Sequence, residues 1–285
     1  MSPHDDGATA LAPQPCRVAI YGCGKMAEAM VARWLEVGAL QPAEVCAVVR
    51  RPERADALEA RYGVQTSLDA AALVGADLVV LGVKPQQLEA VAASLRPQVR
   101  EPQLWISLLA GTPLARLQAE IPARWQRWMP NTPCRLGLGA TAVCGDDPRE
   151  PLRDRHAALL AALGVHRALG EHQFDAFTAV AGSGPAYVFA FVEALAAAGQ
   201  AQGLDATEAE QLARTVVVGA AGLLARDMRP ASAQRTDVTS KGGTTEAALR
   251  TLAERGWSEA MTTAIAAGID RAKELAASPA PILRS

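Results

Sequence analysis

Apolar positions along this chain keep two different rhythms. Up to about residue 111, short continuous apolar runs alternate with longer stretches in which apolar residues recur every three or four positions. RVAIYG (17–22), EVCAVVR (44–50), DLVVLGV (77–83) and QLWISLLAG (103–111) read as strands. KMAEAMVARWLEVG (25–38), PERADALEARYG (52–63) and PQQLEAVAASL (85–95) read as helices, and Pro52 and Gly63 punctuate the second. Strands apolar on consecutive residues need cover on both faces, so the alternation predicts a parallel sheet between two helical layers. WQRWMP and GATAVCG add strand-like pieces between Arg124 and about Gly170, with one helix near 148–162.

From Glu171 to Ala277 the pattern becomes helical almost throughout, rich in alanine and apolar on more than one face. Such helices need burial on several sides. A homodimer with intertwined helices would supply it, and a compact monomeric bundle is the alternative. The division expected is a disordered tail over 1–15, a dinucleotide-binding domain over 16–170 and an all-helical dimerisation and substrate domain over 171–285.

Composition narrows the function. The chain has 285 residues, half of them apolar, which is enough for two cores. A net charge of −2 leaves no electrostatic footprint for nucleic acid. No uncharged apolar run reaches about 18 residues, so no membrane span is expected. The first residues lack the basic and apolar regions of a secretion signal, which makes the cytoplasm the expected location. The five cysteines form no CxxC pair and no histidine lies at ligand spacing, so free thiols and no metal site are expected.

Gly22-Cys23-Gly24-Lys25-Met26-Ala27 fits G-x-G-x-x-G/A between a predicted strand and a predicted helix, the context of a Rossmann-type dinucleotide site. The first glycine permits the turn, the second admits a pyrophosphate, and the helix N-terminus faces the anion. An NAD binder places an acid at the end of the second strand. This chain has Arg50 and Arg51 there, with Arg54 one turn on, which suits a 2′-phosphate and favours NADPH, with NADH as the alternate. In such sheets the ligand lies outside the carboxyl ends of the strands, so Val83, Lys84, Pro85, Leu109 and Ala110 should line the nicotinamide and ribose.

In the helical half, Gly182-Ser183-Gly184-Pro185 reads as a well-made helix start. VTSKGGTTEAAL (238–249) is richer. Gly242 and Gly243 precede a helix, and successive backbone N–H groups there suit a small carboxylate, with hydroxyls from Ser240, Thr244 and Thr245. A simple N-cap is the plainer reading.

GCGKMA, VKPQ, AGTPL, MPNTP, GSGPAY and VTSKGGTT, in this order and spacing, resemble the pyrroline-5-carboxylate reductase family over nearly the whole chain. The resemblance implies NADPH-dependent reduction of 1-pyrroline-5-carboxylate to L-proline, and dimers that assemble into rings such as decamers. It implies cofactor contacts from Tyr21, Gly22, Cys23, Gly24, Lys25, Met26, Arg51, from 83–85, and from Leu108, Leu109 and Ala110. It implies substrate contacts from Glu171, Ser240, Gly243, Thr244 and Thr245. Asp69 and Asp237 fall where many members carry an Asn that touches the cofactor, and an ionised Asp accepts but does not donate. Thr245 is the expected partner of the ring nitrogen. The rival readings are a reductase of another small imino or keto acid, and a non-catalytic NADP(H)-binding regulator.

Overall fold

Valine, isoleucine and leucine at consecutive positions leave a strand no polar face. Four such strands lie side by side at the heart of the first of two compact units. The computed structural model describes residues 16–277. The first unit runs through Thr178 and takes in the chain again from Ala272, and the second comprises Ala179–Arg271. The sheet holds β1 (Val18–Tyr21), β2 (Val45–Val48), β3 (Gln65–Ser67), β4 (Leu78–Leu81), β5 (Leu104–Ser107), β6 (Arg124–Pro130), β7 (Gly139–Gly145) and β8 (Gly164–Ala168). Their spatial order is β3-β2-β1-β4-β5-β6-β7-β8. Every neighbouring pair is parallel except β6 and β7.

Helices α1 (Lys25–Glu36), α2 (Pro52–Tyr62), α3 (Leu88–Leu95), α4 (Leu114–Glu120) and α5 (Arg153–Leu163) cover the sheet. Alternate strand residues go to opposite faces. Val18, Ile20, Leu78, Val80, Leu104 and Ile106 pack with α1, α2 and α5. Ala19, Val79, Leu81 and Trp105 pack with α3 and α4 on the other face. The doubly wound sheet expected from the sequence is therefore present. The expected helix near 148–162 begins at Arg153 and ends at Leu163. β6 and β7 are joined without a crossover helix, which is why they run antiparallel. The edge strands β3 and β8 carry no apolar run, QTS and GVHRA, and hydropathy gave no sign of them.

A short helix, α6 (Phe174–Phe177), closes the first unit. The second unit contains α7 (Gly184–Ala201), α8 (Ala206–Arg226), α9 (Ala231–Asp237) and α10 (Thr244–Glu254), and α11 (Trp257–Ala277) begins in it. Its buried cluster is only Ala196, Ala209 and Ala213, where α7 meets α8. Large apolar side chains lie open on the same helices, among them Phe189 at 64 % and Val218 at 72 % exposure. The stretch Glu171–Ala201 is long and apolar enough to cross a membrane by length and composition, although it contains charged residues and was not expected to from the uncharged-run criterion. Only 17 % of its most apolar window is buried.

One polar network lies inside the first unit. Gln126 Oε1 on β6 accepts from Trp128 Nε1 (2.5 Å) and from His156 Nε2 on α5 (2.6 Å), while Gln126 Nε2 donates to the Asp146 carbonyl (3.1 Å). The Trp128 ring stands edge-on to both His156 and Trp34. Burial, helped by the charge of His166, pushes the His156 imidazole down to about 4 from the ordinary 6.5. Unfolding therefore takes up a proton between these two values. Stability is full above pH 6.5 and falls as the pH drops towards 4, by up to about 1.4 kcal/mol per unit. In urea unfolding at pH 7 and pH 5, the wild type should lose more stability on acidification than His156→Gln. Equal losses would remove His156 from the acid response.

Candidate cofactor cleft and substrate loop

The first unit narrows to one point where the strand order turns back, between β1 and β4. Gly22 ends β1 with φ +83°, and its N–H donates to the Val48 carbonyl of β2 (2.9 Å). Gly82, just past β4, donates to the Tyr21 carbonyl (2.8 Å). A Cβ on Gly82 would stand 2.5 Å from the Gly22 carbonyl oxygen, and one on Gly22 would stand 2.7 Å from Val83 Cγ1. The two strand ends approach this closely only because both residues lack a side chain.

Beyond this contact opens a cleft of about 600 Å3, within the range of small-molecule sites. Tyr21, Gly22, Cys23, Gly24, Lys25, Arg50, Arg51, Val83 and Lys84 line it, so nine of the expected cofactor residues come together. Gly24 is the N-cap of α1 and offers no capping side chain, so the first-turn N–H groups keep no side-chain acceptor from the cap. Burial pushes the Cys23 thiol up to about 11, so Cys23 lends the cleft its backbone and not a thiolate. Residues that the sequence did not single out also line it, notably Glu28, Leu68 and Gln87. Glu28 sits one turn into α1, and only the packing of α1 beside α2 reveals that an acid reaches this cleft.

Other expected cofactor residues lie outside the lining. Met26 turns inward, with Sδ 3.9 Å from Cys134 Sγ. Leu109 is buried in the core on one face of the sheet, Leu108 is half-buried against the core on the other, and Ala110 is exposed. Pro85 begins a short 3-10 turn, Pro85–Gln87. The Asp69 carboxylate caps the turn Ala70–Leu73 by accepting from the Ala71 N–H (2.9 Å). Glu171 was expected at the substrate. Its Oε1 accepts from Arg127 Nη1 and from the Leu114 N–H, both at 2.7 Å. Arg127 is buried over the Phe174 ring, and an unpaired guanidinium there would be costly, which accounts for this use of the carboxylate.

The 238–249 loop lies in the second unit. Gly243 N–H donates to the Ser240 carbonyl (2.9 Å), and Gly242 N–H donates to Glu246 Oε2 (2.7 Å). Both glycine amides expected to hold a carboxylate are thus engaged within the loop. The amides of Thr244 and Thr245 remain at the start of α10, where a helix has no internal partner for them. Ser240, Lys241, Thr244 and Thr245 are exposed. Asp237 is bound by Arg229 Nη2 (2.8 Å).

The Gly22–Gly82 contact yields a direct test. Gly82→Ala forces the Gly22 turn to shift, an overpacking cost of about 1–3 kcal/mol, and should weaken dinucleotide binding on the order of ten-fold or more. Titration calorimetry would measure it, and unchanged affinity would show that the turn is not part of the site.

Comparison with known proteins agrees with this layout. Residues 171–275 match the family model described as pyrroline-5-carboxylate reductase dimerisation. Residues 17–111 match one described as NADP oxidoreductase, coenzyme F420-dependent. The chain is 38 % identical to the pyrroline-5-carboxylate reductase of Synechocystis sp. over 263 residues, covering 91 % of this chain and 98 % of that one. It is 35 % identical to that of Pseudomonas aeruginosa, covering 91 % and 97 %. The solved pyrroline-5-carboxylate reductase of Coxiella burnetii superposes with a TM-score of 0.84 at 32 % identity, over 93 % of this chain and all of that one. The sheet order, the glycine-built cleft and identity across both units together place the chain in the pyrroline-5-carboxylate reductase family.

Proposed function

We propose that the protein reduces 1-pyrroline-5-carboxylate to L-proline with NADPH. Family membership across nine-tenths of the chain carries the substrate, and the cleft carries the cofactor. The residues present fit a dinucleotide: the paired glycines leave room for a diphosphate, and Arg50 and Arg51 lie exposed at the end of β2. When bound, NADPH supplies the hydride for the imine carbon.

The chain's own residues bind and orient. The N-terminus of α1 holds the diphosphate, and Arg50 and Arg51 hold the 2′-phosphate. Val83, Lys84 and Pro85, with the backbone at 108–110, border the ribose and nicotinamide. The Thr244 and Thr245 amides take the substrate carboxylate, helped by Ser240. The Thr245 hydroxyl hydrogen-bonds the ring nitrogen. A protonated imine is already electrophilic, so positioning does most of what a strong acid would otherwise do. Glu171, anchored through Oε1 to Arg127 and the first turn of α4, turns its other oxygen to the substrate. Asp69 and Asp237 serve local structure.

The proposal includes a homodimer built on the helices of the second unit, assembled further into a decamer. The open apolar faces of α7 and α8 support it, because a three-alanine core buries too little to hold such helices alone. It also includes a cytoplasmic location, supported by five free thiols.

Oxidation of NADPH with 1-pyrroline-5-carboxylate, followed by absorbance with NADH alongside, should show turnover with preference for NADPH. No turnover with either would overturn the reading. Thr245→Ala should lower kcat/KM on the order of ten- to a hundred-fold, and an unchanged value would remove Thr245 from the mechanism. Light scattering should give a mass that is a multiple of the monomer. Val218→Glu should move it towards the monomer and lower Tm, and an unmoved mass would place the interface elsewhere.

A further inference from the structure

Three arginines follow β2, at 50, 51 and 54, and a 2′-phosphate would be expected to draw on all of them. The third is already engaged. Arg54, on the first turn of α2, reaches across to the glycine-rich turn and donates to the Cys23 carbonyl from Nη2 (2.9 Å) and Nε (3.3 Å). The same Nη2 donates to Glu28 Oε2 on α1 at 2.6 Å. The other oxygen of Glu28 accepts from Tyr62 Oη (3.0 Å) and Arg61 Nη1 (3.2 Å) at the far end of α2. Both ends of α2 are thereby tied to the first turn of α1.

Glu28 lines the cleft, with its side chain 18 % exposed. Unpaired, it would repel a diphosphate at the helix N-terminus. Burial alone would raise its pKa, but hydrogen bonds from Arg54 and Tyr62 and the two guanidinium charges outweigh that and hold it low. Arg50 and Arg51 are exposed, and among the described residues neither has an ion pair.

We propose that Arg54 is a positioning residue for the cofactor: it fixes the Cys23 carbonyl and neutralises Glu28, so it supports NADPH and NADH alike and leaves selection of the 2′-phosphate to Arg50 and Arg51. The fork of the guanidinium matters, since one group must serve a carbonyl and a carboxylate at once, which a lysine ammonium does less well. The proposal rests on the cleft being the dinucleotide site.

The test is direct titration of the full-length protein with NADPH and with NADH, read as Kd. Arg54→Gln should weaken both by a similar factor, on the order of ten-fold, with their ratio kept. Arg51→Ala should weaken NADPH and leave NADH nearly unchanged. Arg54→Lys should recover part of the loss. Glu28→Gln should weaken both to a smaller extent, and the double Glu28→Gln, Arg54→Gln variant should be no weaker than Arg54→Gln alone. In turnover, Arg54→Gln should raise KM for the cofactor while kcat at saturating cofactor and KM for the imine stay put. Loss confined to NADPH would make Arg54 a phosphate contact and overturn the proposal. So would unmoved affinities, additive losses in the double variant, or a parallel fall in kcat and Tm. If Arg54→Gln does not fold, Arg54→Lys and Glu28→Gln carry the comparison. A wild type that binds neither cofactor would overturn the reading of the cleft and the proposal with it, whereas failure of the imine assay alone would leave these affinities standing.

Discussion

The close approach of Gly22 and Gly82 is the constraint on which the first unit's chemistry depends. At 2.5 Å from a Cβ to a carbonyl oxygen, no side chain fits on Gly82 unless the turn moves. The contact is backbone on backbone, held by Gly22 bonding β2 and Gly82 bonding β1. It sets the angle at which α1 leaves the sheet, and with it where the open N–H groups of that helix point. A sheet whose order turns back between β1 and β4 leaves a crevice there in any case. The glycines decide that the crevice is deep enough for a diphosphate.

Much of this could be read from the sequence, and the reason is physical. Strands buried on both faces must be apolar at every position, so β1, β2, β4 and β5 announce themselves. The turn at Gly22–Ala27 carries its own geometry in its residue types. β3 and β8 stayed hidden because edge strands need no apolar run. Side-chain direction stayed hidden too. Met26 sits within the motif yet packs on Cys134, and Leu109 lies just past β5 yet faces the core. Neither can be read from a residue's place in a motif.

Charge was the least legible level. Glu171, Asp69 and Asp237 are expected at the ligands because their positions match a family pattern, but their protein partners carry no sequence signal. In the structure their carboxylates meet Arg127, the Ala71 amide and Arg229. Glu28 carried no signal and Arg54 read as a third arginine for a 2′-phosphate, yet the two meet across helices 26 residues apart in sequence. Partners separated so far along the chain are fixed only once α1 and α2 pack. The same holds for Glu246, which takes an amide that a glycine-rich loop would be expected to leave for a ligand.

The buried cysteines have a consequence of a different kind. Burial pushes the thiols of Cys16, Cys23 and Cys134 up to between about 11 and 12. At neutral pH a thiol of that kind is ionised in roughly one molecule in ten thousand or fewer, and the thiolate is the reactive form. All three sit in the same core cluster, and of these Cys134 is fully buried and away from the cleft, so a thiol reagent reaches it only when that core opens. The first unit therefore carries its own internal clock. The rate at which the Cys134 sulfur is alkylated measures how often the nucleotide-binding core breathes, and a bound dinucleotide should slow it.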